Sequence, residues 1–142
     1  MSDLTVEISK VINAPIAKVF DAWLDPSTLA KFILPMPGMA DSQVENDPQV
    51  DGAFTIIMQV GDMKVPHTGR YLEIDRPNKL AFTWESPESA DDSVVTLNLT
   101  ELPDGKTNIE LTHVKFIDET RRSNHEGGWG NILIKLDEVT QA

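Results

Sequence analysis

Apolar residues recur along this chain at two different spacings, and the order in which the spacings alternate restricts what can pack on what. Leu4, Val6 and Ile8 alternate with Thr5, Glu7 and Ser9, the period of a half-buried strand, expected over about residues 3–12. Asn13-Ala14-Pro15 then offers a cap candidate and a proline suited to a first helical turn. Ile16, Val19, Phe20 and Trp23 follow at i, i+3, i+4 and i+7, one amphipathic helix. Asp25-Pro26 repeats the start signal, and Leu29, Phe32 and Ile33 form a shorter stripe that Pro35 and Pro37 stop. Between residues 42 and 116 the period returns to two. Phe54, Ile56, Met58 and Val60 form one set, and Leu80, Phe82 and Trp84 a second. Val95, Leu97 and Leu99, then Ile109 and Leu111, complete the series. Asp51-Gly52, Gly61-Asp62, Pro77-Asn78 and Asp104-Gly105 supply the turns. The last segment, SNHEGGWGNILIKLDEV at 123–139, reads as a helix although three glycines crowd its first turns.

Strands in such a run form an antiparallel meander with one apolar face, which needs a cover. The C-terminal helix is the longest candidate. The expected class is α+β: a curved antiparallel sheet wrapped around a long C-terminal helix, with two short helices after the first strand. One domain is expected over residues 1–142, a length that buries roughly 68 to 70% of the unfolded surface. A twisted sheet diverges from a straight helix, so a ligand-sized gap is expected between them.

Composition excludes several function classes. With 12 basic against 23 acidic residues the net charge is -11, which repels phosphate backbones and anionic membranes, so no nucleic acid partner is expected. The absence of cysteine removes thiolate metal sites and cysteine nucleophiles and fits a reducing compartment. MSDLTVEISK has neither a basic nor an apolar leader region, and no apolar run is long enough for membrane insertion. A cytoplasmic protein is expected, and the sequon at Asn98-Leu99-Thr100 is then a chance match. Glu88 to Asp92 is expected as an acidic loop, and Phe32 to Met39 (FILPMPGM) as a lid or dimer contact.

His125-Glu126 begins a zinc-protease pattern, but Trp129 stands where the second histidine belongs, so no metal site is expected. A dinucleotide fingerprint starting at Gly128 would need glycine at Leu133, and neither the strand nor the crossover it requires is present. No cofactor is therefore expected. On a helix, His125, Gly128, Trp129, Ile132, Leu133, Leu136 and Val139 share one sector, while Gly127, Gly130 and Ile134 fall outside it. Ser123 with Glu126 fits a capping box, which would start the helix near Asn124 with His125 in its first turn. His113 continues the alternation of Ile109 and Leu111 and should face the helix. For both histidines a hydrogen-bonded structural role outweighs ligand contact. His67, after Pro66, is less informative, and Glu73 and Glu85 are expected in solvent. No serine, histidine and acid set can be assembled, so catalytic residues stay unassigned.

Several of these segments resemble one known family. They are Asn13-Ala14-Pro15 with Val19-Phe20-Asp21-Ala22-Trp23, Gly69 to Ile74 (GRYLEI), Leu80 to Trp84 (LAFTW) and His125 to Trp129 (HEGGW). The chain is similar to the AHSA-type family, named for an activator of a heat-shock-protein ATPase, within the START-like (SRPBCC) helix-grip superfamily. The resemblance implies a helix-grip fold with an apolar cavity between sheet and C-terminal helix. It implies a protein that binds a small apolar, aromatic or lipid-like ligand, an enzymatic role being left open with binding favoured. The alternatives are an enzyme like polyketide cyclases and aromatases using cavity histidines, and a chaperone ATPase-activator-like interaction protein. Candidates for the cavity lining are Phe54, Ile56, Met58, Phe82, Trp84, Leu97, Leu111, His113, His125, Trp129 and Leu133. The expected partner is a small hydrophobic or aromatic molecule, and a homodimer is left open.

Overall fold

The computed structural model describes residues 5–34, 41–60, 62–85, 93–114 and 119–141. The elements are β1 (Thr5–Ile12), α1 (Ile16–Ala22), α2 (Pro26–Phe32), β2 (Gln43–Asn46), β3 (Ala53–Val60) and β4 (Met63–Asp75). They continue with β5 (Lys79–Thr83), β6 (Val94–Leu102), a 3-10 turn (Pro103–Gly105), β7 (Lys106–Val114) and α3 (Glu119–Gln141). All seven strands form one antiparallel sheet in the order β1-β7-β6-β5-β4-β3-β2. The expected α+β helix-grip architecture is present.

The two edges of that sheet, β1 and β2, are consecutive strands in the chain, so α1 and α2 must carry the backbone from one edge to the other. The crossing buries Ile16, Val19, Phe20, Leu29 and Phe32 in the same core as the inward faces of β6 (Val95, Leu97, Leu99) and β7 (Ile109, Leu111). From α3, Trp129, Ile132, Leu133 and Leu136 join that core, while Ile134 on the opposite side is 51% exposed. Alternation on the strands and the helical stripe therefore meet as their periods demand. No helix among the described residues is long and apolar enough to cross a membrane.

Two local expectations change, and two features of the sheet were not marked by the sequence pattern. Asn13 does not cap α1, whose cap position is Pro15. Its backbone N–H instead donates to Asp137 Oδ1 at 2.8 Å, tying the β1–α1 corner to the end of α3. The last helix does not start near Asn124. It already includes Glu119, where Arg122 bonds Glu119 at 2.6 Å and Glu126 at 3.2 Å, so the supposed capping glutamate serves a side-chain ladder within the helix. β4 changes phase: His67, Gly69 and Tyr71 point inward, a register shift falls between Tyr71 and Glu73, and Ile74 then takes the inward side. β2 is a polar edge strand that hydrophobic alternation does not mark. Residues 35–39 of the FILPMPGM segment and the acidic stretch 88–92 lie outside the described residues.

Candidate functional site

A cleft opens where side chains at and just after the ends of the short helices face β3, β4 and β5. Trp23, Leu29 and Ile33 form its helical wall, and Phe54, Ile56, Tyr71, Phe82 and Trp84 its floor. Counted to its mouth it spans about 260 Å³, but its inner void is only about 10 Å³, room for roughly one water. The floor is aromatic because of a local fit. Phe54 is paired with Gly69 across β3 and β4, and any Cβ at Gly69 would collide with the Phe54 ring and the Thr83 carbonyl. Phe54 thus lies over the glycine, with its ring centre 5.3 Å from Tyr71 and 5.5 Å from Phe82. Asn46 Nδ2 donates to the Tyr71 hydroxyl at 3.1 Å and to the Leu24 carbonyl at 2.8 Å, fastening the β2 edge to the helices. Burial raises the Tyr71 pKa, a shift the Asn46 hydrogen bond opposes and the Asp47 charge reinforces.

Two donors of this cleft, one in the wall and one in the floor, are unsatisfied among the described residues. Trp23 and Trp84 are 3% and 2% exposed, and their Nε1 groups have no hydrogen-bond partner among the described residues. Each such donor costs about 1 to 3 kcal/mol if nothing fills the place.

Beside the cleft, all three histidines and all three tryptophans of the chain join one cluster. Trp84 is its centre, with ring centres 4.8 Å from His67, 5.0 Å from Trp129 and 6.4 Å from His113. Trp129 Nε1 reaches His113 Nδ1 at 2.9 Å. An indole nitrogen only donates, so Nδ1 is the acceptor and the neutral ring carries its proton on Nε2. That proton goes to Ser93 Oγ at 2.5 Å. A serine nucleophile needs the reverse arrangement, an imidazole nitrogen ready to take the hydroxyl proton. The Ser93–His113 pair is therefore a buried structural link.

Burial, reinforced by the nearby charge of His125, holds the His113 pKa down to about 3. His67 is lowered to about 4 for the same two reasons, with the Val65 and Ile56 carbonyls offsetting part of the shift. Its Nδ1 is buried with no partner among the described residues. His125 is half-buried, its ring centre 5.3 Å from that of His113. No group of three or more histidines and carboxylates among the described residues is arranged to hold a metal ion.

Of the residues expected to line a cavity, Phe54, Ile56, Phe82 and Trp84 line the cleft. His113, His125 and Trp129 belong to the adjoining cluster. Met58, Leu97, Leu111 and Leu133 are buried in the core without reaching this cleft. The described helical wall of this cleft comes from α2 and from the residues directly after α1 and α2, and α3 supplies none of its described lining. Trp23, Leu29 and Ile33 face residues of β3 to β5 across the cleft, whereas the backbone of α1 lies nearest β6 and β7, that of α2 nearest β2 and that of α3 nearest β1. Trp23, Leu29, Ile33 and Tyr71 were missed as lining, although the first three lie on the helical stripes. His67 also points inward, and its place two and four residues before Gly69 and Tyr71 is the sequence signal that marks this direction.

The profile of the family described as activator of Hsp90 ATPase homolog 1-like protein matches residues 13–141. Among solved structures, a protein from Chromobacterium violaceum is 27% identical and superimposes with a TM-score of 0.87 over 97% of this chain and 98% of that one. An HSP90 activator from Plasmodium falciparum is 21% identical, with a TM-score of 0.77 over 97% and 96% of the two chains. CalU16 from Micromonospora echinospora is 23% identical, with a TM-score of 0.73 over 96% of this chain and 75% of that one. The last two likenesses concern the fold alone. No curated protein matches the sequence.

Proposed function

The chain belongs to the family of activator of Hsp90 ATPase homolog 1-like proteins, and from that premise we propose that it is a cytoplasmic small-molecule-binding protein whose apolar or aromatic ligand occupies the cleft between α1–α2 and the sheet. The observation that carries this reading is the lining itself: five aromatic and three aliphatic side chains converge there, with no charged residue among those described. The void admits little beyond a water, so a ligand enters by moving Leu29 and Ile33 off the sheet. Those two residues sit on or just after a helix of only seven residues, a small element to displace. Catalysis is the weaker reading, because the histidines that an acid or base would need stand outside the described lining and His113 is engaged on both ring nitrogens. Chaperone activation rests on a shared fold at low identity.

Native mass spectrometry of the purified protein, with thermal-shift screening against lipids and aromatic metabolites, tests the proposal. A bound molecule or a raised Tm is expected, and both should vanish in Leu29→Trp, which fills the cleft. A panel in which nothing binds and nothing co-purifies overturns it.

A further inference from the structure

Trp23 and Trp84 belong to opposite walls of the cleft, one at the end of α1 and the other just after β5. Both are nearly fully buried, and both have an Nε1 with no partner among the described residues. The third indole differs, since Trp129 donates to His113 Nδ1. Among the described residues, then, neither indole of the cleft is given a hydrogen-bond acceptor. Its other residues do not provide one to the indoles: Leu29, Ile33, Phe54, Ile56 and Phe82 have no polar side-chain atom, and the Tyr71 hydroxyl accepts from Asn46 and not from either indole.

Resting on the binding role above, we infer that the ligand is a neutral, largely apolar molecule whose polar end is a carbonyl-type acceptor received by the indole N–H of Trp23, Trp84 or both. A pure hydrocarbon would leave both donors unpaired. A carboxylate would be desolvated in a lining with no described cation, in a chain of net charge -11. An ammonium group is itself a donor and would bring no acceptor to the indoles.

Three probes of similar size separate these cases: acetophenone, 2-phenylpropene, which has a methylene in place of the oxygen, and benzoate. Binding is followed in nitrogen-15 spectra of the three indole N–H groups, assigned with Trp23→Phe and Trp84→Phe. Acetophenone is expected to bind about tenfold more tightly than 2-phenylpropene, the worth of one neutral hydrogen bond. It should shift the Trp23 or Trp84 resonance downfield and leave that of Trp129 in place, while benzoate does not bind. Equal affinity for acetophenone and 2-phenylpropene, with the Trp23 and Trp84 resonances unmoved, overturns the inference and leaves the binding role intact. Tightest binding by benzoate overturns the neutrality of the ligand. If none of the probes binds and the wider screen also finds nothing, the binding role and the inference fall together. Where one of these variants does not fold, the other together with Trp129→Phe completes the assignment, and the wild-type resonances then decide the matter.

Discussion

Trp129 donates its indole N–H to Nδ1 of His113 at 2.9 Å, and that one bond sets the direction of the buried relay from α3 through β7 to Ser93. Because indole cannot accept, the tautomer of His113 is a consequence of the helix packing and not of pH. Trp129→Phe removes the donor, leaves Nδ1 without this partner and opens a void under α3. The expected loss is about 2 to 4 kcal/mol, combining a lost buried hydrogen bond with a smaller ring. Denaturant unfolding measures the loss, and ring nitrogen-15 shifts of His113 should report the Nε2–H form in the wild type. An Nδ1–H form in the wild type would contradict the assignment.

Both buried histidines tie stability to pH in one direction. Their folded pKa values, about 4 for His67 and about 3 for His113, lie below the ordinary 6.5, so the unfolded chain binds more protons between those limits. Stability is full above pH 6.5 and falls as pH drops from there toward 4, at up to about 1.4 kcal/mol per pH unit for each ring. The ion-paired acids whose pKa values are lowered, Asp21 and Glu119, begin to lose their contribution only near their ordinary values of 3.8 and 4.5. The window above pH 5 therefore belongs to the histidines. His67→Phe keeps a ring on Trp84 and removes one titration, so the slope of stability against pH between 6 and 5 should fall by about half. An unchanged slope would show that His67 does not titrate as its burial requires.

The strands were legible because burial on one face imposes a period of two, which Val95, Leu97 and Leu99 or Ile109, Leu111 and His113 show without interruption. The beginning of α3 was not, because Glu119 to Arg122 lies on a polar stretch where no apolar stripe marks the helix. There the SxxE spacing pointed to a cap, whereas Arg122 takes up Glu126. The cleft was half legible. Phe54, Phe82 and Trp84 follow from alternation, but its location depends on where α1 and α2 cross the sheet, a matter of topology that periodicity does not contain. The unpaired donors of Trp23 and Trp84 are invisible in sequence, since an indole reads there as bulk.

Gly69 and Phe54 behave as one unit, the ring occupying the place where a side chain at residue 69 would stand. Gly69→Ala puts a methyl group against the Thr83 carbonyl and the Phe54 ring, so the strand must shift or the ring must leave the cleft floor. A loss of about 1 to 3 kcal/mol is expected from such overpacking. Pairing it with Phe54→Ala should recover part of that loss in a double-mutant cycle, because the ring that collides with the new methyl group is gone. Strict additivity of the two variants would show that the ring does not depend on the glycine.

Gly127 and Gly130 are the opposite case. A Cβ built at either meets no heavy atom of the described residues within 4 Å, although both lie inside α3. Nothing in the described packing requires a glycine at either place, and glycine in a helix interior gives up about 0.8 to 1 kcal/mol against alanine. Gly127→Ala and Gly130→Ala should therefore each stabilise the protein by about 0.4 to 1 kcal/mol, partly by restricting the unfolded chain. The two should be nearly additive, since neither side chain finds a partner to share. A rise in Tm for the double variant with ligand binding unchanged is the expected outcome. A fall in stability would mean that the helix surface at these positions is covered, and a rise in stability accompanied by lost binding would place the opening of the cleft under the control of helix flexibility.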